Sequence, residues 1–221
     1  MKQCELVIFD CDGTLVDSLA AIARAANLGL ADVGHTEAIP HSQVAQVVGL
    51  SLHEAVSVLL PGASEETITQ GVQRYKFHYK QMVESGELTP PLFPGVRETL
   101  EAIHQADLPM AIATGKSRKG LLRSLSDHDL GHYFQVLTTA DDAPSKPHPR
   151  MVELVLEQTG IDASKTLIVG DTDYDILMGR EAGIATCAVT YGCHDRQQLA
   201  RSKPDYWVER LDQLLPLLGL E

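Results

Sequence analysis

Short β-prone apolar runs recur along this chain at Leu6 to Phe9, Met110 to Ala113, Val136 to Leu137, Thr166 to Val169 and Thr186 to Val189, and most end at a polar or Gly-containing segment. Apolarity without alternation marks strands buried on both faces, as in a parallel sheet covered by helices. Between several of the runs lie segments of helical period, Val96 to Gln105, Lys119 to Ser126, Met151 to Thr159 and Asp175 to Ala182. That alternation predicts an α/β fold with a doubly wound parallel sheet. A short sixth strand at Tyr206 to Val208 and a Leu-rich final helix from Leu211 to Leu218 complete the pattern.

The alternation fails between the first run and the second, where helical periodicity continues with hardly any strand signal. Asp17 or Ser18 can cap a helix running toward Gly34, and further helical patterns cover Ser42 to Val48, Leu52 to Leu60 and Glu65 to Ser85. Residues 17 to 90 are therefore read as an inserted helical domain, leaving residues 1 to 16 and 91 to 221 as the α/β core. The segment from Thr89 to Gly95, with Pro90, Pro91 and Pro94, stiffens the return to the core. Hydrophobic residues make up 44% of the chain, ample for packing both parts.

Two of the strand ends carry acids. Asp10 and Asp12 follow the first run at a spacing that lets both carboxylates project to one side, and in an open α/β sheet ligands collect at the carboxyl ends of the strands. The alternative is a turn followed by a helix cap, for which Asp and Gly are ordinary residues. A second run, Ile168-Val169-Gly170, delivers Asp171, with Asp175 one helical turn later and Asp173 between them. The helix dipole accounts for acids at 173 or 175, at roughly 0.3 to 1 kcal/mol each, and less readily for Asp171 at the strand tip. If the two tips lie side by side, Asp10, Asp12 and Asp171 form an oxygen-only site for a hard cation. Magnesium suits such a sparse carboxylate shell.

Thr114 and Gly115 end another run, where a hydroxyl and an unencumbered backbone N–H can hold phosphoryl oxygens at a helix start; a capping Thr before a turn is the alternative. Lys146 sits among Pro144, Pro147 and Pro149, which restrict its backbone, although a single loop lysine is more often solvated. The formal net charge of -12 excludes nucleic acid as the main ligand, since polyanion binding needs a basic stripe and the 18 Lys and Arg form no dense cluster. A phosphate ester would have to overcome the same field, and a divalent cation held by carboxylates is the natural means. Cys4, Cys11, Cys187 and Cys193 form no CxxC pair and are read as free thiols. The first residues hold only a four-residue apolar run, and no stretch approaches membrane-spanning length, which predicts a soluble cytoplasmic protein without a membrane partner, monomeric or homodimeric.

Taken together, Asp10-Cys11-Asp12-Gly13-Thr14, Thr114-Gly115, Lys146-Pro147 and Gly170-Asp171 through Asp175 give the chain a resemblance, over essentially its whole length, to the haloacid dehalogenase superfamily, in the branch of phosphoglycolate phosphatase and β-phosphoglucomutase. The resemblance implies a Rossmann-like core with a mobile helical cap, and a magnesium-dependent phosphatase that hydrolyses a small phosphorylated metabolite. It implies roles as well: Asp10 as nucleophile, Asp12 as general acid and base, Thr114 and Gly115 as phosphoryl ligands, and Lys146 as the cation between nucleophile and phosphate. Magnesium would be held by the Asp10 carboxylate, the Asp12 backbone carbonyl and Asp171, with Asp175 behind them. Cys11 stands where relatives usually carry a larger apolar residue.

Within the superfamily, Asp12 together with Asp171 speaks against a dehalogenase or a phosphonatase. A β-phosphoglucomutase-like sugar-phosphate mutase is the nearer alternative; it resembles this chain less at Thr14, which follows Gly13 here, and at Ser18 to Ile22, where mutases tend to carry a His. A pyrophosphatase or nucleotidase of the family and a noncatalytic phosphate binder are further alternatives. By family analogy 2-phosphoglycolate leads the substrates, followed by sugar phosphates, nucleotides and pyrophosphate. Gly49, Leu50 and Ser51 lie where related caps present a substrate loop, or form a simple helix–helix turn. Arg24, His53, Arg74 and Lys76 are not ranked as site residues, and the scattered His104, His128, His132, His148 and His194 are read as surface or core polar filling.

Overall fold

Every side chain of the first strand, β1 (Leu6–Phe9), is fully buried, and successive residues enter different cores. Val7 and Phe9 pack into one cluster with Val96, Leu100 and Ile103 of a helix on one face, whereas Leu6 and Ile8 join Met151, Val152 and Val155 of a helix on the other. A period of two with both phases apolar is what a strand covered on both faces requires. Burial of Phe9 alone contributes on the order of 1.5–3 kcal/mol.

The computed structural model describes residues 4–86 and 89–220; the expected domain limits at residues 1 and 221 lie outside them. The remaining strands are β2 (Met110–Thr114), β3 (Val136–Thr139), β4 (Thr166–Gly170), β5 (Ala185–Val189) and β6 (Tyr206–Val208), all parallel, in the order β3-β2-β1-β4-β5-β6. The sequence-based expectation of an α/β fold with a doubly wound parallel sheet is met. After β1 the chain builds outward on one side through β2 and β3, then returns to build β4, β5 and β6 on the other. The crevice between β1 and β4 is therefore the switch point, where an open α/β sheet binds ligands beyond its strand ends. Register aligns the tips: Phe9 pairs with Ile112 of β2 and with Val169 of β4.

Helices α1 (Leu19–Ala31), α2 (His41–Ala45), α3 (Leu52–Leu59) and α4 (Glu65–Glu84) follow β1, then α5 (Val96–Gln105), α6 (Arg118–Asp127), α7 (Arg150–Thr159), α8 (Asp173–Glu181), α9 (Arg196–Ser202) and α10 (Leu214–Leu218). The first four carry a hydrophobic cluster of their own, including Ala23, Leu30, Val44, Val56, Leu59 and Ile68. The chain leaves and re-enters the sheet region side by side: Val16 bridges Leu92, Asp17 N–H donates to the Pro91 carbonyl at 2.8 Å, and Phe93 N–H to that of Leu15 at 3.0 Å.

Three local outcomes differ from the expected elements. Helix α9 was not expected, because its only buried apolar residue is Leu199; its signal is the capping Asp195, whose carboxylate accepts from Gln198 N–H at 2.8 Å. The helix expected from Ser42 to Val48 is the shorter α2, which gives way to turns before Gly49. The final segment begins as a 3-10 turn at Leu211–Gln213, and only Leu214–Leu218 is α-helical.

Candidate active site

The carboxyl ends of β1, β2 and β4 bring Asp10, Thr114 and Asp171 to the switch point, all with at most 1% of their surface exposed. Asp10 is held by its backbone, which donates to the Val169 carbonyl at 3.0 Å, so its position is tied to the neighbouring strand. Its Oδ1 accepts from Lys146 Nζ at 2.7 Å, whereas Oδ2 is buried with no hydrogen-bond partner among the described residues. Burial pushes the Asp10 carboxyl well above the usual carboxylate range; Lys146 opposes this, while Asp175 and Asp171 add to it.

Lys146 reaches the same point from its proline-flanked loop and also donates to Asp175 Oδ1 at 2.6 Å. The second oxygen of Asp175 accepts from Thr172, N–H at 3.0 Å and hydroxyl at 2.7 Å, closing a capping box at the start of α8. Asp175 thus lies in the first turn of a helix, where the dipole favours an acid, and the same residue also steadies the lysine. Asp171 accepts from the Thr14 hydroxyl at 2.9 Å and from Cys193 N–H at 2.8 Å. Gly13, with φ +85°, passes so close to Asp171 that any Cβ there would collide with its carboxylate.

Asp12 points elsewhere. Its Oδ1 accepts from Ser18 Oγ at 2.6 Å, and Lys116 Nζ lies 2.8 Å from both of its oxygens. Ser18 stands at the N-cap of α1 but makes no capping bond, its hydroxyl being committed to Asp12. Desolvation works against the charge on Lys116, yet the adjoining Asp12 carboxylate raises its pKa overall. Neither Ser18 nor Lys116 was selected from the sequence as a site residue. Lys116 stands one residue beyond the Thr114-Gly115 pair, and that adjacency is the signal that could have found it.

Thr114 sits at the tip of β2, its hydroxyl accepting from Lys116 N–H at 3.3 Å. At Gly115 a Cβ would strike the carbonyl oxygens of Gly49 and Leu50, so the turn ahead of α3 rests directly on this part of the core. Ser51 N–H donates to Ser145 Oγ at 2.8 Å and Tyr174 hydroxyl to the Gln46 carbonyl at 2.9 Å. The structure thus brings Gly49, Leu50 and Ser51 to the mouth of the site, as a turn that also joins two helices. His53 pairs with Glu65, and Arg74 with Asp32, on the surface of the helices. His194 is buried beneath Tyr174, its Nδ1 accepting from Asp173 N–H at 3.1 Å, in keeping with core polar filling.

Three carboxylates, those of Asp10, Asp171 and Asp175, offer oxygens within 4.8 Å of one another. Opposed by the single ammonium of Lys146, they would carry two uncompensated negative charges when ionised, a deficit that one divalent cation would remove. Asp10 Oδ2, without a hydrogen-bond partner among the described residues, has free acceptor capacity, whereas Asp175 is occupied by Lys146 and Thr172.

Over residues 7–189 the chain matches the model of one family, described as haloacid dehalogenase-like hydrolase. The chain belongs to that family. This hydrolase is 33% identical to the phosphoglycolate phosphatase of Vibrio parahaemolyticus across 99% of its own length and 98% of the relative's. It is 32% identical to the enzyme of the same name from Vibrio cholerae, covering 99% and 98%. Among solved structures, a predicted phosphoglycolate phosphatase from Haemophilus somnus superposes with a TM-score of 0.88 at 27% identity, over 98% of this chain and 99% of that one. The enzyme class expected from the sequence, a phosphoric monoester hydrolase of this family, is the class of these relatives. None of its described helices is long and apolar enough to cross a membrane, and its four cysteines are free.

Proposed function

We propose that this hydrolase is a magnesium-dependent phosphatase that removes phosphate from a small monoester, 2-phosphoglycolate being the leading substrate, through a covalent intermediate on Asp10. The observation that carries the reading is the Asp10 carboxylate itself: one oxygen is fixed by Lys146, and the other is buried at the sheet's switch point without a hydrogen-bond partner among the described residues. An unsatisfied buried carboxylate oxygen is costly to maintain and is accounted for when it has a ligand or a reaction to serve.

In the first step Asp10 Oδ2 attacks phosphorus, a P–O bond forms to the aspartate, and the ester P–O bond breaks in line with it. Asp12 gives the departing oxygen a proton. In the second step water attacks the aspartyl phosphate, Asp12 takes the water proton, and inorganic phosphate leaves with Asp10 restored. Lys146 holds Asp10 by its other oxygen and offsets negative charge where two anions must meet. Thr114 and Gly115, at the tip of β2, are proposed to orient the phosphoryl oxygens.

Magnesium would be held by Asp10 and Asp171, with the Asp12 backbone carbonyl completing the protein ligands and Asp175 supporting Lys146; when bound it supplies positive charge to the phosphoryl oxygens. Residues 17 to 90 are proposed to act as a cap whose turn at Gly49 to Ser51 shuts the site against bulk water. Free thiols throughout suit a reducing compartment, and the cytoplasm is proposed as the place of action.

The test is phosphate release from a panel of monoesters, pyrophosphate and β-glucose 1-phosphate, with and without magnesium, in wild type and Asp10→Asn. Release should depend on the cation and fall by more than about 10⁴-fold in the variant. Undiminished release by Asp10→Asn would rule out the covalent route, and isomerised glucose phosphate in place of phosphate would point to the mutase.

A further inference from the structure

The mechanism leaves Lys116 without a task. Its backbone is pinned to the core, donating to Thr114 Oγ1 at 3.3 Å and accepting from Ala140 N–H at 3.1 Å. Its ammonium reaches Asp12, and on another side the ring centroid of Tyr79 lies 5.8 Å from Nζ, with Tyr75 stacked on Tyr79 at 5.9 Å. Both tyrosines come from α4, so Lys116 stands in the seam between the core and the inserted helices, with an aromatic wall facing it. An ammonium carries three donors. Asp12 takes two of the contacts, and no third acceptor stands against Nζ among the described residues.

Reaction geometry then limits what can approach. The ester oxygen that receives its proton from Asp12 must come within hydrogen-bond reach of that carboxylate. Lys116 is already within such reach, at 2.8 Å from each Asp12 oxygen. The departing oxygen and the ammonium are thus neighbours of one carboxylate, and a group attached to the ester-bearing carbon falls beside Nζ. The group that a nearly desolvated ammonium recognises best is an anion, and a carboxylate can take the donor of Nζ that Asp12 leaves. A chain of net charge -12 would otherwise repel such a second anion.

We infer that Lys116 is a specificity-determining residue that binds a carboxylate on the carbon next to the ester oxygen, selecting phosphate esters of 2-hydroxy carboxylates. This rests on the phosphatase reading and on Asp12 serving the departing oxygen.

The experiment compares kcat/KM for 2-phosphoglycolate with that for 2-hydroxyethyl phosphate, which replaces the carboxylate by a neutral alcohol, in wild type, Lys116→Met, Lys116→Gln and Lys116→Arg. Truncating one partner of a buried charge pair is expected to lower the carboxylate preference by about 30-fold or more in the Met and Gln variants, with Arg retaining part of it. The ratio is decisive because any disturbance of Asp12 slows both esters alike. An unchanged ratio in the variants, or no preference in the wild type, overturns the assignment while leaving the phosphatase reading intact. Should Lys116→Met fail to fold, the polar, uncharged Gln variant and the wild-type ratio still decide. Phosphate release by Asp10→Asn would overturn both readings.

Discussion

Asp10 and Asp12 stand on one loop, each with its own lysine, yet the two pairs are built differently. On the Asp10 side, Lys146 and its partners Asp10 and Asp175 have side chains at most 1% exposed, with every contact supplied by the core. On the Asp12 side, Lys116 and Asp12 retain 12% and 11%, and Tyr79 of the inserted helices forms part of the wall. Sealed in this way, Lys146 has both of its acceptors in the core and holds the geometry, and Asp10 Oδ2, without a hydrogen-bond partner among the described residues, is left for a ligand. A pair at a seam keeps one face open to whatever enters. Under the proposed function, the difference gives fixed chemistry to one acid and contact with the variable part of a substrate to the other.

The largest effect that would break this comparison is expected at Lys146. Replacing it by Met leaves Asp10 and Asp175 buried without their shared cation, and breaking a buried ion pair from one side costs on the order of 3–5 kcal/mol. Lys146→Met should therefore lower the midpoint of urea unfolding sharply in the metal-free protein as well as abolish turnover. Lys116→Met, at the more open pair, should cost less. Equal destabilisation by the two variants would show that the seam is as sealed as the core.

A cation should sharpen the same contrast. Burial holds the carboxyls of both Asp10 and Asp171 above their ordinary range. Raised carboxyl values in the folded state mean that their contribution to stability is fully present below about pH 4, where unfolded carboxylates titrate, and is lost as the pH rises through the folded values toward neutrality. A bound divalent ion opposes that loss. Magnesium at a hundred times its Kd should stabilise by about 2.7 kcal/mol near neutral pH, and by less in acid, where protons compete for the same oxygens. Thermal unfolding with and without magnesium at about pH 5 and about pH 8 checks this. A magnesium effect that does not grow with pH would argue against carboxylate ligands.

Legibility in the sequence followed the same division. Asp10 and Asp171 were readable because each ends an apolar run, and strand order plus register brings such tips together in a doubly wound sheet. Lys146 announced itself by its prolines. Lys116 did not: a lysine near the start of a helix is usually solvated, and its partner lies 104 residues away, a distance that only the β1–β2 pairing closes. Ser18 was readable as a helix cap and nothing more, since a hydroxyl's choice between a backbone N–H and a distant carboxylate is made by tertiary structure. Helix α9 was lost because one buried leucine makes no periodicity.

Ser18 also supplies the finest test of the comparison. Its hydroxyl donates to Asp12 Oδ1 at 2.6 Å, and it makes no capping bond to α1, so Ser18→Ala removes a contact to the acid without removing a helix cap. The loss of one hydrogen bond to a charged group should cost about 1.5–3 kcal/mol at most in stability, less if water replaces it. Turnover has a separate dependence on orientation. If Ser18 and Lys116 together fix Asp12, the variant should lose roughly tenfold in kcat, about 1.4 kcal/mol of barrier, with KM nearly unchanged. The carboxylate preference should survive, because Lys116 remains. A fall in that preference as large as the fall in kcat would mean that Ser18 and Lys116 act as one unit on the substrate, and the division between a fixing contact and a reading contact at Asp12 would have to be abandoned.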